Sequence, residues 1–163
     1  MATTTGKSTQ LTNADTAPPI ATETTDWHGT VRIRQFDYTQ SGAGDAGSTV
    51  ELVRLPPTRT RILLASSVIT CSAFGASRTL DIGHGGYTQP DGTAVAADAD
   101  CLADGLDVSA AADLGLGGST TAGVAGPSLL VNPNAPLSIV ATVAGDTIPD
   151  GATLSGYLLY VNG

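Results

Sequence analysis

The segment Leu137-Ser138-Ile139-Val140-Ala141-Thr142-Val143 sets Leu137, Ile139, Ala141 and Val143 against Ser138, Val140 and Thr142 at period two. Successive side chains of a strand point to opposite faces, so this pattern buries one face and frees the other. A helix would scatter the same residues around its axis. The pattern recurs along the chain. From Thr30 to Tyr38, Val31 and Ile33 alternate with Arg32 and Arg34, which predicts a strand with a cationic face. Thr49 to Leu55 is a second strand, stopped by Pro56-Pro57 because proline has no N–H to give a ladder.

Thr60 to Cys71 is the longest apolar stretch, β-branched towards its end and apolar on both faces, as a central strand of a sandwich would be. Arg78 to Ile82 and Leu129 to Val131 are shorter strands. Thr153 to Val161 is the last, with Leu154, Leu158 and Tyr160 on one face and Tyr157, Leu159 and Val161 on the other. A strand apolar on both faces must be central or covered by a neighbour. Turn material separates these runs at 41–47, 83–86 and 146–151.

Two regions break the pattern. Residues 94–113 are dominated by Ala, Asp and Leu. Asp98 there can cap a short helix running to Ala103, with Gly105 near its C-terminal end. Residues 115–126 are a Gly/Ser/Thr/Ala loop. Twenty Gly and nine Pro disfavour a helix bundle, and 41% hydrophobic against 13% charged residues excludes a chain kept unfolded by its charge. The expected fold is all-β: an antiparallel β-sandwich, jelly-roll-like, with a short helical insertion and an extended N-terminal arm. The sandwich spans residues 29–163 and the arm residues 1–28.

The arm is a Thr/Ser/Ala/Pro tract broken only by Leu11, Ile20 and Trp27, and it cannot fold alone. Fully extended it would reach roughly 90 Å, far beyond the width of its own domain. It is either a disordered tail or an arm ordered against a neighbouring subunit. The isolated apolar anchors and the stiff Pro18-Pro19 pair favour the arm.

Charge is divided unevenly. Residues 1–78 hold all 7 basic groups and 6 of the 15 acids, and residues 79–163 hold the other 9 acids with no Lys or Arg. A net charge of −8 repels phosphate, so no nucleic-acid partner is expected. No apolar run approaches the roughly 20 residues of a membrane helix, so no membrane partner is expected either. The first seven residues have no apolar core, and no signal peptide is expected. Without export, Cys71 and Cys101 are expected to be buried and reduced rather than paired.

Motifs that would carry chemistry are incomplete. Gly6-Lys7-Ser8 resembles the end of a phosphate loop, but the first glycine of that motif would fall on Met1. His28 and His84 are the only histidines; Asp81 could reach His84 only if the strand end curled, and no serine is singled out as their nucleophile. Asp98, Asp100 and Asp104 imitate the start of a calcium loop. Its fifth and sixth positions are Leu102 and Ala103, and no Glu stands at the twelfth. The acids are left as a weak divalent site or as helix capping. Catalytic, cofactor and metal residues are therefore expected to be none, and no enzyme activity is expected.

The run Val50-Glu51-Leu52-Val53-Arg54-Leu55-Pro56 followed by Thr60-Arg61-Ile62-Leu63 resembles the opening of small tailed-phage virion proteins. Phe74 to Gly83 is similar to their Gly-Ala-Ser-x-Thr-Leu-x-x-Gly segment. The 98–108 segment, Ile139 to Thr142, and the ending from Gly151 to Val161 follow in the same order. The resemblance covers roughly 50–161 and implies a head-associated decoration or cement protein. Its expected partners are the major capsid protein and further copies of itself, a trimer by analogy. Its expected place is the outer surface of the virion, after synthesis in the host cytoplasm. The arm lies outside the resemblance. For such a role the expected capsid or inter-subunit contacts are Leu11, Ile20, Trp27, Arg32, Arg34, Arg54, Arg59 and Arg61, because arginine forks onto carboxylates. Some of these arginines could instead pair with Asp37 or Glu51 on the domain's own surface. The alternative role is a head or tail fibre module contacting host surface glycans. One Trp, two Phe and four Tyr are sparse material for sugar platforms.

Overall fold

A computed structural model describes residues 7–21, 25, 29–45, 47–118 and 126–163. Near the start is a short helix, α1 (Thr9–Ala14), whose first turn is capped by Ser8: its hydroxyl oxygen accepts from Leu11 N at 3.3 Å. The strands then follow as β1 (Val31–Thr39), β2 (Thr49–Leu55), β3 (Thr60–Leu63), β4 (Val68–Cys71) and β5 (Thr79–His84). A small ribbon, β6 (Tyr87–Thr88) and β7 (Ala94–Val95), leads to β8 (Asp98–Asp107). The remainder is β9 (Ala112–Gly115), β10 (Ser128–Val131), β11 (Leu137–Ala144) and β12 (Thr153–Asn162).

Two antiparallel sheets face each other. One has β12 at its centre, with β1 on one side and both β3 and β4 on the other; β10 lies outside β3, and β9 outside β4. The second runs β2-β11-β5-β8. Between them lie Leu55, Ile62, Leu64, Ile69, Leu80, Ile82, Leu102, Leu137, Ile139 and Leu154, all essentially free of solvent. This is the expected jelly-roll-like β-sandwich. β11 alternates buried and half-buried residues along its whole length, as its sequence requires, and β12 is the central strand its two apolar faces demand.

Two expectations fail locally. The apolar stretch from Thr60 to Cys71 is not one strand. A 3-10 turn at Leu64–Ser66 divides it, and β3 and β4 lie end to end along β12. Ser67 makes the break affordable: its buried hydroxyl donates to Leu63 O at 2.8 Å and accepts from Leu159 N at 3.0 Å, so the interrupted ladder leaves no orphan there.

The helix expected from Asp98 to Ala103 is also absent; the segment is strand β8. It pairs with β5 through His84↔Asp98, Ile82↔Ala103 and Leu80↔Leu106, with register shifts between these pairs. Those irregularities let Cys101, Leu102 and Ala103 all be buried in succession. Gly105, expected near a helix end, instead has φ +65 within the strand, where its N–H donates to Asp81 Oδ1 at 2.8 Å. Gly83 on β5 allows the two strands to meet: a Cβ there would lie 1.9 Å from Asp98 O.

Candidate interaction surface

Cross-strand partners in an antiparallel sheet share a face. Arg32 and Arg34 of β1 oppose Tyr160 and Leu158 of β12, which are core residues. The two arginines therefore stand on the inner face, in line with Phe36 and Tyr38, which pack against the core. They remain exposed and make no ion pair among the described residues. Val31 and Ile33 take the outer face and are 54% and 52% exposed. One outer row runs Val31–Val161–Arg61–Leu130 across four strands. The next residues along are Ile33, Leu159 and Leu63. Val31 and Ile33 are thus exposed apolar residues on an edge that no described strand covers, and the row passes inward to buried Val161 and half-buried Arg61.

The other expected contact residues divide. Arg54 is engaged on its own domain: Nε and Nη2 donate to Glu51 Oε1 at 2.6 Å and Oε2 at 2.9 Å. Two strand residues three apart should point to opposite faces. Here Val53 pairs with Ile139 while Glu51 pairs with the next residue, Val140, so Leu52 is an extra residue in β2. This bulge turns Val50, Val53 and Leu55 inward together and sets Glu51 and Arg54 side by side outside. The Arg54 guanidinium, helped by the Ser138 hydroxyl that donates to the same carboxylate, holds Glu51 down to about 2. The bulge gives no signal in residue identities, so the pair was legible only as one of several alternatives.

Arg61 ties the leader to the sheet. Its Nε donates to Thr25 O at 3.2 Å and its Nη1 to Ser128 Oγ at 3.3 Å; Thr25 itself is buried. Sequence reasoning missed Thr25, which has no apolar bulk to mark it. Arg59 is half-buried, and its carbonyl accepts from Gly163 N at 2.9 Å. Leu11 and Ile20 are exposed on the leader. Trp27 lies outside the described residues.

The groups considered for chemistry do not converge. Asp81 and His84 lie three apart on a regular strand, and Asp81 is engaged by Gly105 N. His84 is buried, with Nδ1 2.9 Å from Gly85 O and its ring edge-on to Tyr87 at 5.3 Å. Only a protonated Nδ1 can donate to that carbonyl. Cys71 and Cys101 are buried and unpaired, and burial pushes the Cys101 thiol up to about 12. Asp100 is raised above the usual carboxylate range by a side-chain hydrogen bond with Asp98. Among the described residues, no three His, Cys, Asp or Glu side chains gather as a metal site would need.

No protein-family model matches the sequence, and no curated protein does. Solved structures do. A chain of the cyanophage Pam1 capsid asymmetric unit is similar, with a TM-score of 0.50 and 12% identity, over 83% of this chain and 86% of that one. VP2 of the infectious bursal disease virus subviral particle gives a TM-score of 0.46 at 15% identity, over 81% of this chain and 33% of VP2. A chain of the capsid of Helicobacter pylori bacteriophage KHP30 gives 0.33 at 11%, over 81% and 93%. At such identities the likeness is one of fold: the chain carries a jelly-roll-like β-sandwich similar to that of the Pam1 capsid chain.

Proposed function

We propose that the chain is a structural virion protein of a tailed phage, a capsid decoration or cement protein that binds the outer shell and stabilises the head. The observation that carries this reading is the Pam1 likeness, which spans nearly the whole of both chains rather than a fragment of a larger one. The sandwich of residues 29–163 supplies stiffness. The arm of residues 1–28 grips the shell, with the major capsid protein as partner, and copies of the chain associate with one another. Many weak contacts repeated on a symmetric shell become strong together, because each attached copy raises the effective concentration of the next contact. Nothing in this job requires turnover.

Deleting residues 2–28 tests the arm. Occupancy on purified particles should fall while the cooperative thermal melt of the sandwich survives. Undiminished occupancy would remove the arm from the mechanism, and absence of the intact chain from the particles would overturn the whole reading.

A further inference from the structure

The open edge of β1 is a template for a second strand. Its backbone orientation follows from the ladder. Leu159 N donates to Ser67 Oγ and Ser72 N to Thr153 O, so odd-numbered β12 residues bond towards β4 and the even-numbered ones towards β1. Tyr160 opposes Arg32, and Leu158 opposes Arg34, so the even-numbered residues of β1 bond to β12. Gln40 N, donating to Ala152 O at 2.8 Å, continues the same alternation. Val31, Ile33, Gln35, Asp37 and Thr39 are left with their N–H and C=O groups aimed at the edge that no described strand covers. Every residue from Val31 to Gln35 is exposed.

We propose that this edge pairs with β1 of a second copy, antiparallel, about a two-fold axis at Gln35. Charge selects the register. Face matching allows only self-pairings centred on single residues. Centring on Ile33 sets Arg32 against Arg34 of the partner copy twice over, and centring on Arg34 sets that guanidinium against its own twin; both are repulsive. Centring on Phe36 leaves Val31 and Arg32 beyond the paired strand. Centring on Gln35 pairs all nine residues of β1. Arg34 then faces Phe36 and Arg32 faces Tyr38 across the axis, each cation beside an aromatic ring. Five outward residues per copy give roughly ten new backbone hydrogen bonds. On the outer face, Ile33 of one copy lies opposite Asp37 of the other and Val31 opposite Thr39. This contact deepens the self-association proposed above and does not depend on attachment to a shell.

Light scattering of the full chain after size exclusion tests it, together with three variants. A dimer is expected. Gln35→Pro removes an outward N–H and leaves the β12 ladder intact, since Gln35 does not bond to β12; it should weaken the dimer at least about 100-fold with an unchanged far-ultraviolet spectrum. Gln35→Cys should oxidise to a covalent dimer, because a hydrogen-bonded antiparallel pair places its Cα atoms about 5.5 Å apart. Ile33→Cys should not. A monomeric full chain, an oligomer that Gln35→Pro leaves intact, or a failure of Gln35→Cys to cross-link would each overturn the proposal. If Gln35→Pro does not fold, the cross-linking pair decides.

Discussion

Gly156 sits at the middle of the central strand, between Phe36 of β1 and Ile69 of β4. Its φ is +151, a backbone conformation that side-chain-bearing residues rarely adopt. A Cβ built there would lie 2.2 Å from Val68 O, 3.1 Å from Ile69 Cα and 3.1 Å from the Phe36 ring. The nearest atom is backbone and cannot swing away, so Gly156→Ala must shift β4 against β12. Backbone strain costs about 1–3 kcal/mol, and forcing a carbon into packed surroundings costs about 1–3 kcal/mol more. The sum, about 2–6 kcal/mol, is a large part of the roughly 5–15 kcal/mol that holds a domain folded. For a domain of this size it lowers Tm by roughly 5–20 °C. Gly92→Ala is the control: its φ is +88, but a Cβ there meets open space, so only the strain remains. Thermal melts followed by circular dichroism should show Gly156→Ala losing clearly more than Gly92→Ala. Equal losses, or a Gly156→Ala melt within about 2 °C of the parent, would refute the claim that β12 is clamped on both sides.

Leu102→Ala, at a residue with no solvent exposure, should cost about 2–5 kcal/mol in denaturant unfolding, and a loss under about 1 kcal/mol would mean that β8 is not a core strand. The Glu51 carboxyl should titrate near 2 by NMR and return towards its ordinary value of 4.5 in Arg54→Ala. Because its folded value is depressed, the stabilisation it brings is present above pH 4.5 and is lost as pH falls towards 2; the effect is small, since both partners are exposed. Cys101 should resist a thiol reagent at pH 8 in the folded chain and react on unfolding, and fast labelling of the native protein would contradict its burial.

Periodicity marked β11, β1 and β12 because each is regular, and a regular strand writes its faces into alternate residues. β8 escaped because its register slips twice against β5, so Cys101-Leu102-Ala103 reads as a continuous apolar step beneath acids that suit a helix cap. The break in the Thr60–Cys71 stretch was hidden for a different reason. Ser67 is an ordinary residue in sequence, and it becomes a joint only because Leu159, 92 positions away, donates to it. The arginines stood out in the sequence, but not their assignments. A one-residue bulge at Leu52 gives Arg54 to Glu51, and the long-range meeting of Arg61 with Thr25 gives it to the leader. Among the described residues, Arg32 and Arg34 alone of the strand arginines stay open, on an edge that no described strand covers, a fact of sheet order that no local pattern carries.

Cryo-electron microscopy of the intact particle that contains this chain is the most direct test. The account predicts many symmetry-related copies of the sandwich seated on the outside of the head, each with its leader running onto the shell. Density restricted to the tail or its fibres, or a head whose outer surface carries no such sandwich, would contradict it.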